Sequence, residues 1–158
     1  MLYKQRLTKE QALAKLKQYC AYQERCHTEV KEKLYSHGLY KADVETIVSE
    51  LIEENYLNEE RFAVQYAGGK FRIKQWGRKK IEFALKEKQV SSYSIKKAMK
   101  QIDDAVYEEV LMQLANKKWM LLEGEQQLSR EAKTRAYLLQ KGFENNLIGK
   151  AIQAIRTK

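Results

Sequence analysis

The sequence predicts an all-α protein in which three tandem three-helix repeats form an elongated, curved helical array. Two observations lead to this fold class. The 158 residues contain no proline and only seven glycines, so helices meet few breakers and strands meet few turn signals. A set of apolar positions also recurs three times at a nearly constant interval. At this length about 70% of the unfolded surface can be buried on folding, so a true core is expected.

Five apolar positions define the repeat. Moving along the chain by 51 residues, and then by a further 53, finds apolar residues at all five positions again. Registered copies of this kind are typical of tandem units that are too small to bury their own apolar faces and therefore stack on their neighbours. The three sets are Leu34, Val44, Ile47, Val48 and Leu51; Leu85, Ile95, Ala98, Met99 and Ile102; and Leu138, Ile148, Ala151, Ile152 and Ile155.

Each repeat is expected to begin where an apolar residue precedes a residue that can cap a helix. Leu7-Thr8, Leu57-Asn58 and Ile102-Asp103 have this pattern. The third repeat is longer than the others by about eight residues, which we expect around residues 123–127, where the apolar spacing lapses. The predicted segments are an N-terminal tail, 1–7; repeat 1, 8–57; repeat 2, 58–102; and repeat 3, 103–158.

Helix starts can be predicted from the capping residues. Thr8 and Gln11 have the spacing of a capping box, which predicts a first helix from Lys9 to Tyr22. Asn58 is followed by two glutamates and is expected to cap the first helix of repeat 2.

Three further starts are predicted with the same logic. Thr28 is expected to cap the second helix, which should stop near Gly38, because glycine favours the left-handed conformation that ends many helices. Asp43 is expected to cap the third helix, and Ser129 the middle helix of repeat 3.

The net charge of +9 is concentrated in repeat 2. Residues 58–102 carry 12 basic and four acidic side chains, whereas each of the other segments has a net charge between −2 and +2. Aromatic residues are interleaved with the basic ones, as expected for a surface that contacts a polyanion such as nucleic acid. The alternative is an ordinary solvated helix face.

Eleven residues are therefore candidates for binding nucleic acid or another anionic partner. Phe83 has a second interpretation as a packing residue between repeats, and the nearby Trp76 is interpreted as a filler of a gap between units. Gly77 can cap the following helix or allow another backbone to approach closely. The candidates are Lys70, Arg72, Lys74, Arg78, Lys79, Lys80, Phe83, Lys86, Lys96, Lys97 and Lys100.

Several functions are not favoured by the sequence. No apolar run approaches the ~18 residues of a membrane-spanning helix, and the first ten residues lack the apolar region of a secretory leader. Two cysteines fit reduced thiols in a cytoplasmic protein, which we expect to be a monomer without membrane contact.

Metal binding and catalysis are also not predicted. Cys20, Cys26, His27 and His37 match no familiar zinc spacing, and Cys20 continues an apolar helical stripe. The chain has only two histidines and no phosphate-binding glycine loop or nucleophile motif. No cofactor is expected. A metal-dependent enzyme stays as an alternative that elemental analysis would exclude.

Four groups of residues resemble one known family, the RecX family, and the likeness covers nearly the whole chain. The order and the spacing of the groups make the resemblance specific. They are Arg25 to Val30 with Lys33, Leu34 and Gly38; Tyr56 to Ala63 with Tyr66; Gly77 and Arg78 with Ile81 and Leu85; and Lys141, Gly142 and Phe143 with Ile148.

The resemblance implies both architecture and role. RecX proteins consist of three tandem three-helix repeats and regulate the RecA recombinase. Members bind the RecA–DNA filament in its helical groove and restrain its ATP hydrolysis, strand exchange and growth. The implied partners here are the RecA filament and DNA, single-stranded or duplex. The alternative that the basic repeat alone suggests is a nucleic-acid-binding helical module that acts independently of RecA.

One departure from the family pattern affects a helix end. Gln89 stands where a glycine is usual after the middle helix of repeat 2. We therefore expect that helix to end differently from its counterparts, by fraying or by extension.

Overall fold

The computed structural model describes residues 6–157, which form nine α-helices, one π-helical turn and no strand. The predicted tail, 1–7, therefore lies mostly outside the described residues. The elements are α1 (Lys9–Tyr22), α2 (His27–Ser36), α3 (Lys41–Glu53), α4 (Glu59–Gly69), the π-helical turn (Lys70–Lys74), α5 (Arg78–Glu87), α6 (Ser92–Lys100), α7 (Asp104–Leu121), α8 (Gln127–Lys141) and α9 (Asn145–Arg156).

Three predicted helix starts are confirmed, one of them at Asp103, whose side chain accepts a hydrogen bond from the backbone N–H of Val106 at 3.0 Å. Thr8 and Gln11 form a reciprocal capping box, with N···O distances of 3.0 and 3.2 Å, and α1 has the predicted bounds. The side chain of Asn58 accepts a hydrogen bond from the backbone N–H of Arg61 at 2.8 Å and so caps α4. These caps satisfy backbone N–H groups that have no partner within the helix.

The prediction that Thr28 caps α2 is wrong. The helix begins two residues earlier than this cap implies, at His27, and its N-cap is Cys26, whose backbone N–H donates to the Glu29 carboxylate at 3.1 Å. The Thr28 hydroxyl instead donates to the carbonyl oxygen of Lys88 in repeat 2, at 3.2 Å. Thr28 therefore joins two repeats.

The predicted caps at Asp43 and Ser129 are also wrong. Helix α3 begins at Lys41, and Asp43 lies inside its first turn, where the helix dipole favours a carboxylate. Helix α8 begins at Gln127, and the Ser129 hydroxyl bonds to the Glu125 carboxylate at 3.4 Å. In both cases the side chain that was expected to cap the helix lies inside its first turn.

The threefold repeat is confirmed by the way in which α2, α5 and α8 end. In each, the fourth residue after the marker leucine is left-handed: Gly38 (φ 84°), Gln89 (φ 62°) and Gly142 (φ 98°). The next backbone N–H then bonds to the carbonyl of Leu34, Leu85 or Leu138, at 3.1 to 3.4 Å. All three leucines are fully buried. The all-α class of tandem three-helix repeats is thus as predicted.

The expectation that Gln89 changes the end of α5 is wrong. Gln89 itself adopts the left-handed conformation, and its N–H bonds to the carbonyl of Lys86 at 2.9 Å. Val90, which follows Gln89, is buried, and the chain therefore turns after α5 in the same way as after α2 and α8.

The extra length of repeat 3 lies mainly in its helices. Helix α7 has 18 residues, against 16 in α4 and its π-helical turn together, and α8 has 15, against 10 in α5. Residues 122–126 form the turn between α7 and α8. A turn lies at the position where the extra residues of repeat 3 were predicted. Most of the extra residues, however, lengthen the helices on the two sides of this turn.

The buried side chains form two separate cores. The first core lies within repeat 1 and includes Leu16, Leu34 and Ile47. The second core is continuous through repeats 2 and 3 and also takes in Cys26 from repeat 1. Repeats 2 and 3 are therefore one packed body, to which repeat 1 is joined.

The joint between repeats 2 and 3 is a direct backbone contact. The N–H of Gly77 donates to the carbonyl of Lys141 at 2.7 Å, and that of Lys79 donates to Gly142 at 3.0 Å. A Cβ atom on Gly77 would lie 2.3 Å from the carbonyl carbon of Gly142. Gly77 is the N-cap of α5, so both predicted roles of this glycine are confirmed.

The joint between repeats 1 and 2 rests on fewer contacts. Besides Thr28, Arg61 forms an ion pair with Glu24, and its guanidinium also donates to Asn55. Cys26 adds a small apolar contact.

Candidate nucleic-acid interface

A π-helical turn brings Trp76 back towards the end of α4. After the turn, Gln75 is left-handed (φ 57°), and the backbone N–H of Trp76 bonds to the carbonyl of Lys70 at 3.2 Å. The indole ring consequently lies between two cations, with the Nζ atoms of Lys70 and Lys80 at 5.0 and 4.7 Å from its centroid. Trp76 is half-buried and packs on the second core, which agrees with its predicted packing role.

Tyr66 also has two lysines over its ring, one of which it shares with Trp76. The Nζ atoms of Lys70 and Lys88 lie 5.4 and 5.8 Å from the centroid of its ring. Tyr66 is also partly buried against the second core. Lysines and aromatic rings therefore alternate from Lys88 to Lys80.

Lys141 of repeat 3 extends this surface. Its Nζ donates to the carbonyl of Lys74 at 2.6 Å. Burial lowers the pKa of Lys141, and the nearby charges of Lys80 and Lys74 lower it further. We call Tyr66, Lys70, Lys74, Trp76, Lys80, Lys88 and Lys141 together the lysine ridge.

The lysine ridge has the chemistry of a polyanion site. Its ammonium groups can neutralise phosphates, and the partly exposed rings of Tyr66 and Trp76 offer faces on which bases can stack. The repulsion of Lys141 by Lys80 and Lys74 would be relieved by a bound anion.

Sequence reasoning missed Tyr66, Lys88 and Lys141 as members of this surface. Lys141 lies 67 residues from Lys74, and only the joint between repeats 2 and 3 brings them together. The one signal in the sequence was that Lys141 precedes Gly142, the glycine of the repeated helix end.

Arg78 is placed differently from the other candidates. Its guanidinium donates to Asp104 at 2.7 Å and to the carbonyl of Ile102 at 3.0 Å, and it lies 4.1 Å from the centroid of the Tyr107 ring. Glu144 lies 3.9 Å away. The charge of Arg78 is therefore compensated within the protein, at the joint between repeats 2 and 3.

Tyr107 completes this joint. Its hydroxyl accepts the backbone N–H of Arg78 at 2.9 Å and donates to the Glu144 carboxylate. Burial, together with the hydrogen bond to Glu144, raises the pKa of Tyr107. Its ring packs between Phe71 and Phe143, at centroid distances of 5.7 and 5.2 Å.

The remaining candidates lie outside the lysine ridge. Phe83 is 64% exposed, which excludes its alternative as a packing residue, and Lys79 is exposed on the same helix. Lys97 lies over the exposed ring of Tyr93 at 5.5 Å. Arg72 folds back against Gly68. Lys86, Lys96 and Lys100 line a groove between α5 and α6. The structure thus divides the eleven candidates among several surfaces.

The residues weighed for metal binding include two buried cysteines. Cys20 lies in the first core and Cys26 in the second, and burial raises the pKa of both thiols, that of Cys20 to about 11. Within residues 6–157, no group of three or more His, Cys, Asp or Glu side chains is arranged to hold a metal ion. No helix in that range is long and apolar enough to cross a membrane.

Comparison with known protein families identifies repeats 2 and 3. Residues 58–99 match the family model described as RecX, second three-helix domain, and residues 106–152 match RecX, third three-helix domain. The chain belongs to the RecX family. The two matches cover repeats 2 and 3, which share the second core and carry the lysine ridge.

Curated RecX relatives are similar over much of the chain. The "Regulatory protein RecX" of Prosthecochloris aestuarii is 25% identical over 139 residues, which are 88% of this chain and 89% of that protein. The protein of the same name from Clostridium perfringens strain 13 is 30% identical over 118 residues, 73% of this chain. The match spans only 55% of the Clostridium protein's length.

A solved RecX structure has the same fold. The crystal structure of RecX from Lactobacillus salivarius superimposes with a TM-score of 0.87 over 95% of this chain and 97% of that one, at 23% identity. A second crystal structure, of a regulatory protein RecX, covers 88% of this chain with a TM-score of 0.80.

Proposed function

We propose that this protein is a regulatory protein that binds the RecA–DNA filament and modulates, mainly inhibits, its recombinase and ATPase activity. Membership of the RecX family supports the regulatory role, because the curated relatives are named as regulatory proteins. The observation that carries the filament part of the proposal is the lysine ridge, since a filament groove offers DNA phosphates beside protein surface.

The arrangement favours binding over catalysis. The cations of the lysine ridge alternate with rings at 4.7 to 5.8 Å, so each ammonium is held near a face on which a base can stack. Such a surface holds nucleic acid without making or breaking bonds. A protein seated in this way would restrain the filament by occupying its groove.

The proposal predicts inhibition of the DNA-dependent ATPase of the cognate RecA at substoichiometric or near-stoichiometric amounts of this protein. The double substitution Lys70→Ala and Lys80→Ala should raise the amount needed for half-inhibition roughly tenfold, because two phosphate-binding charges are lost. The matched control is Lys9→Ala with Lys31→Ala, which removes the same charge from exposed positions of repeat 1. An unchanged ATPase rate at saturating protein would refute the proposed function.

A second candidate function is binding of nucleic acid without RecA. The lysine ridge also supports this alternative, because stacked rings and lysines are typical of single-strand binding surfaces. Titration of labelled single-stranded and duplex DNA at several salt concentrations separates the two. Tight binding without recombinase favours the alternative, and the Lys70/Lys80 variant should then lower the salt slope by about 1.4 for a single strand. Negligible binding at low salt eliminates it.

A further inference from the structure

A second lysine-rich surface lies between α5 and α6 and has a different character from the lysine ridge. It is a groove of about 390 Å³. Ile95 and Met99, one helical turn apart on α6, provide apolar lining; Ile95 is nearly buried and Met99 partly so. We call it the α5–α6 groove, and its lining residues are Glu82, Lys86, Ser92, Ile95, Lys96, Met99 and Lys100.

The lysines of the α5–α6 groove are not neutralised by the protein. Lys86, Lys96 and Lys100 are exposed, and none of them forms an ion pair or lies over an aromatic ring within residues 6–157. By contrast, Lys17 of repeat 1 forms an ion pair with Glu54 at 2.8 Å. The groove therefore has three uncompensated positive charges and one acidic residue, Glu82.

The lining chemistry favours a peptide over a nucleic acid as the occupant. An aliphatic surface gives no face for stacking a base, and a sugar–phosphate backbone gains little from contact with it. Apolar side chains of a protein segment can bury against Ile95 and Met99 while its carboxylates meet the lysines.

The spacing of the groove residues indicates the form of that segment. Ile95 and Met99 are four residues apart, as are Lys96 and Lys100, so both the apolar and the charged positions repeat once per turn along α6. A helix lying beside α6 can match this interval with apolar residues on one side and acidic residues next to them. We propose that the α5–α6 groove is a docking site for an acidic amphipathic helix of a protein partner. This inference does not depend on the proposed function.

The test uses a fluorescein-labelled 18-residue peptide of leucine, alanine and glutamate, with leucines at i, i+3, i+4 and i+7. Fluorescence anisotropy should show saturable binding to the full chain. Lys86→Glu, Lys96→Glu and Lys100→Glu together should weaken binding at least about tenfold, which corresponds to about 1.4 kcal/mol. The matched control is Lys9→Glu, Lys15→Glu and Lys31→Glu together, which makes the same change of charge at exposed positions of repeat 1 and should change binding less than about twofold.

A scrambled peptide of identical composition and an oligo(dT) of equal charge complete the experiment. Weaker binding of the scrambled peptide supports a matched apolar face, and equal binding overturns it. If oligo(dT) displaces the peptide at lower concentration, and the groove variant loses oligo(dT) binding, the groove is a nucleic-acid surface and the proposal fails. Absence of saturable peptide binding up to about 1 mM also overturns it. Circular dichroism of each variant checks that it is folded.

Discussion

Many residues that make the family resemblance specific lie at the joints between repeats. Gly77 and Gly142 let two backbones touch, Arg78 binds Ile102 and Asp104, and Arg61 pairs with Glu24. The close approach at Gly77 was predicted from sequence, whereas the roles of the two arginines were not, because each depends on a partner 24 or more residues away. A recurrent motif in a repeat protein therefore need not mark a binding surface.

Gln89 gives a prediction at the residue scale. It holds a left-handed conformation that costs a non-glycine residue roughly 1–2 kcal/mol, and its exposed side chain forms no hydrogen bond to another described residue. Gln89→Gly should therefore raise the free energy of unfolding by about 1 kcal/mol, measured by thermal denaturation. Gln101→Gly is the matched control: with φ at −76°, it should lower stability. Lower stability of the Gln89 variant would contradict this account.

At the scale of the helices, the spacing of apolar residues predicted the positions of the helices more reliably than the capping residues did. The five repeated apolar positions placed α2, α3, α5, α6, α8 and α9, and 14 of the 15 residues are buried. Three of the six predicted capping side chains were wrong. Serine, threonine and aspartate suit a first helical turn as well as the position before it, so their presence leaves the start uncertain by one turn.

The helix α5 offers a sharp test of the joint between repeats 2 and 3. Gly77→Ala would place a Cβ atom 2.3 Å from the backbone of Gly142, which cannot move without breaking two hydrogen bonds. We expect a loss of roughly 3 kcal/mol or more in the free energy of unfolding, measured by urea titration.

Gly69→Ala is the matched control for this joint. Gly69 ends α4 in a right-handed helical conformation, and a Cβ atom there would have no neighbour within 4 Å. Its replacement should leave stability unchanged or raise it by up to about 1 kcal/mol. Equal effects of the two substitutions would show that the close approach at Gly77 is not what holds the joint.

At the scale of the whole molecule, the sequence located the excess charge but not the surface that it forms. The +8 charge of repeat 2 was visible by counting. The distribution of this charge over two surfaces was not visible in the sequence. The π-helical turn and the joint with repeat 3 decide which lysines contact Trp76 and which line the α5–α6 groove. Surfaces that cross repeats arise from packing, which a helical wheel drawn for one helix does not describe.

The two cores predict that repeat 1 can unfold separately. Leu16 is fully buried in the first core, whereas Trp76 and Trp119, the only tryptophans in the sequence, belong to the second. Leu16→Ala should destabilise repeat 1 by about 2–5 kcal/mol. The loss of helical circular dichroism in urea should then begin earlier, while the midpoint of tryptophan fluorescence stays in place. A parallel shift of both signals would show that the three repeats unfold as one unit.

Each core also contains one of the two cysteines, Cys20 in the first and Cys26 in the second. Neither sulfur can meet a reagent in solution until the core around it opens, and the raised pKa of each slows its reaction further. The rate at which Cys20 is alkylated under native conditions therefore measures the opening of repeat 1, and the rate at Cys26 measures the opening of the joint between repeats 1 and 2. Peptide mass spectrometry can measure both rates in a single sample of the unsubstituted protein.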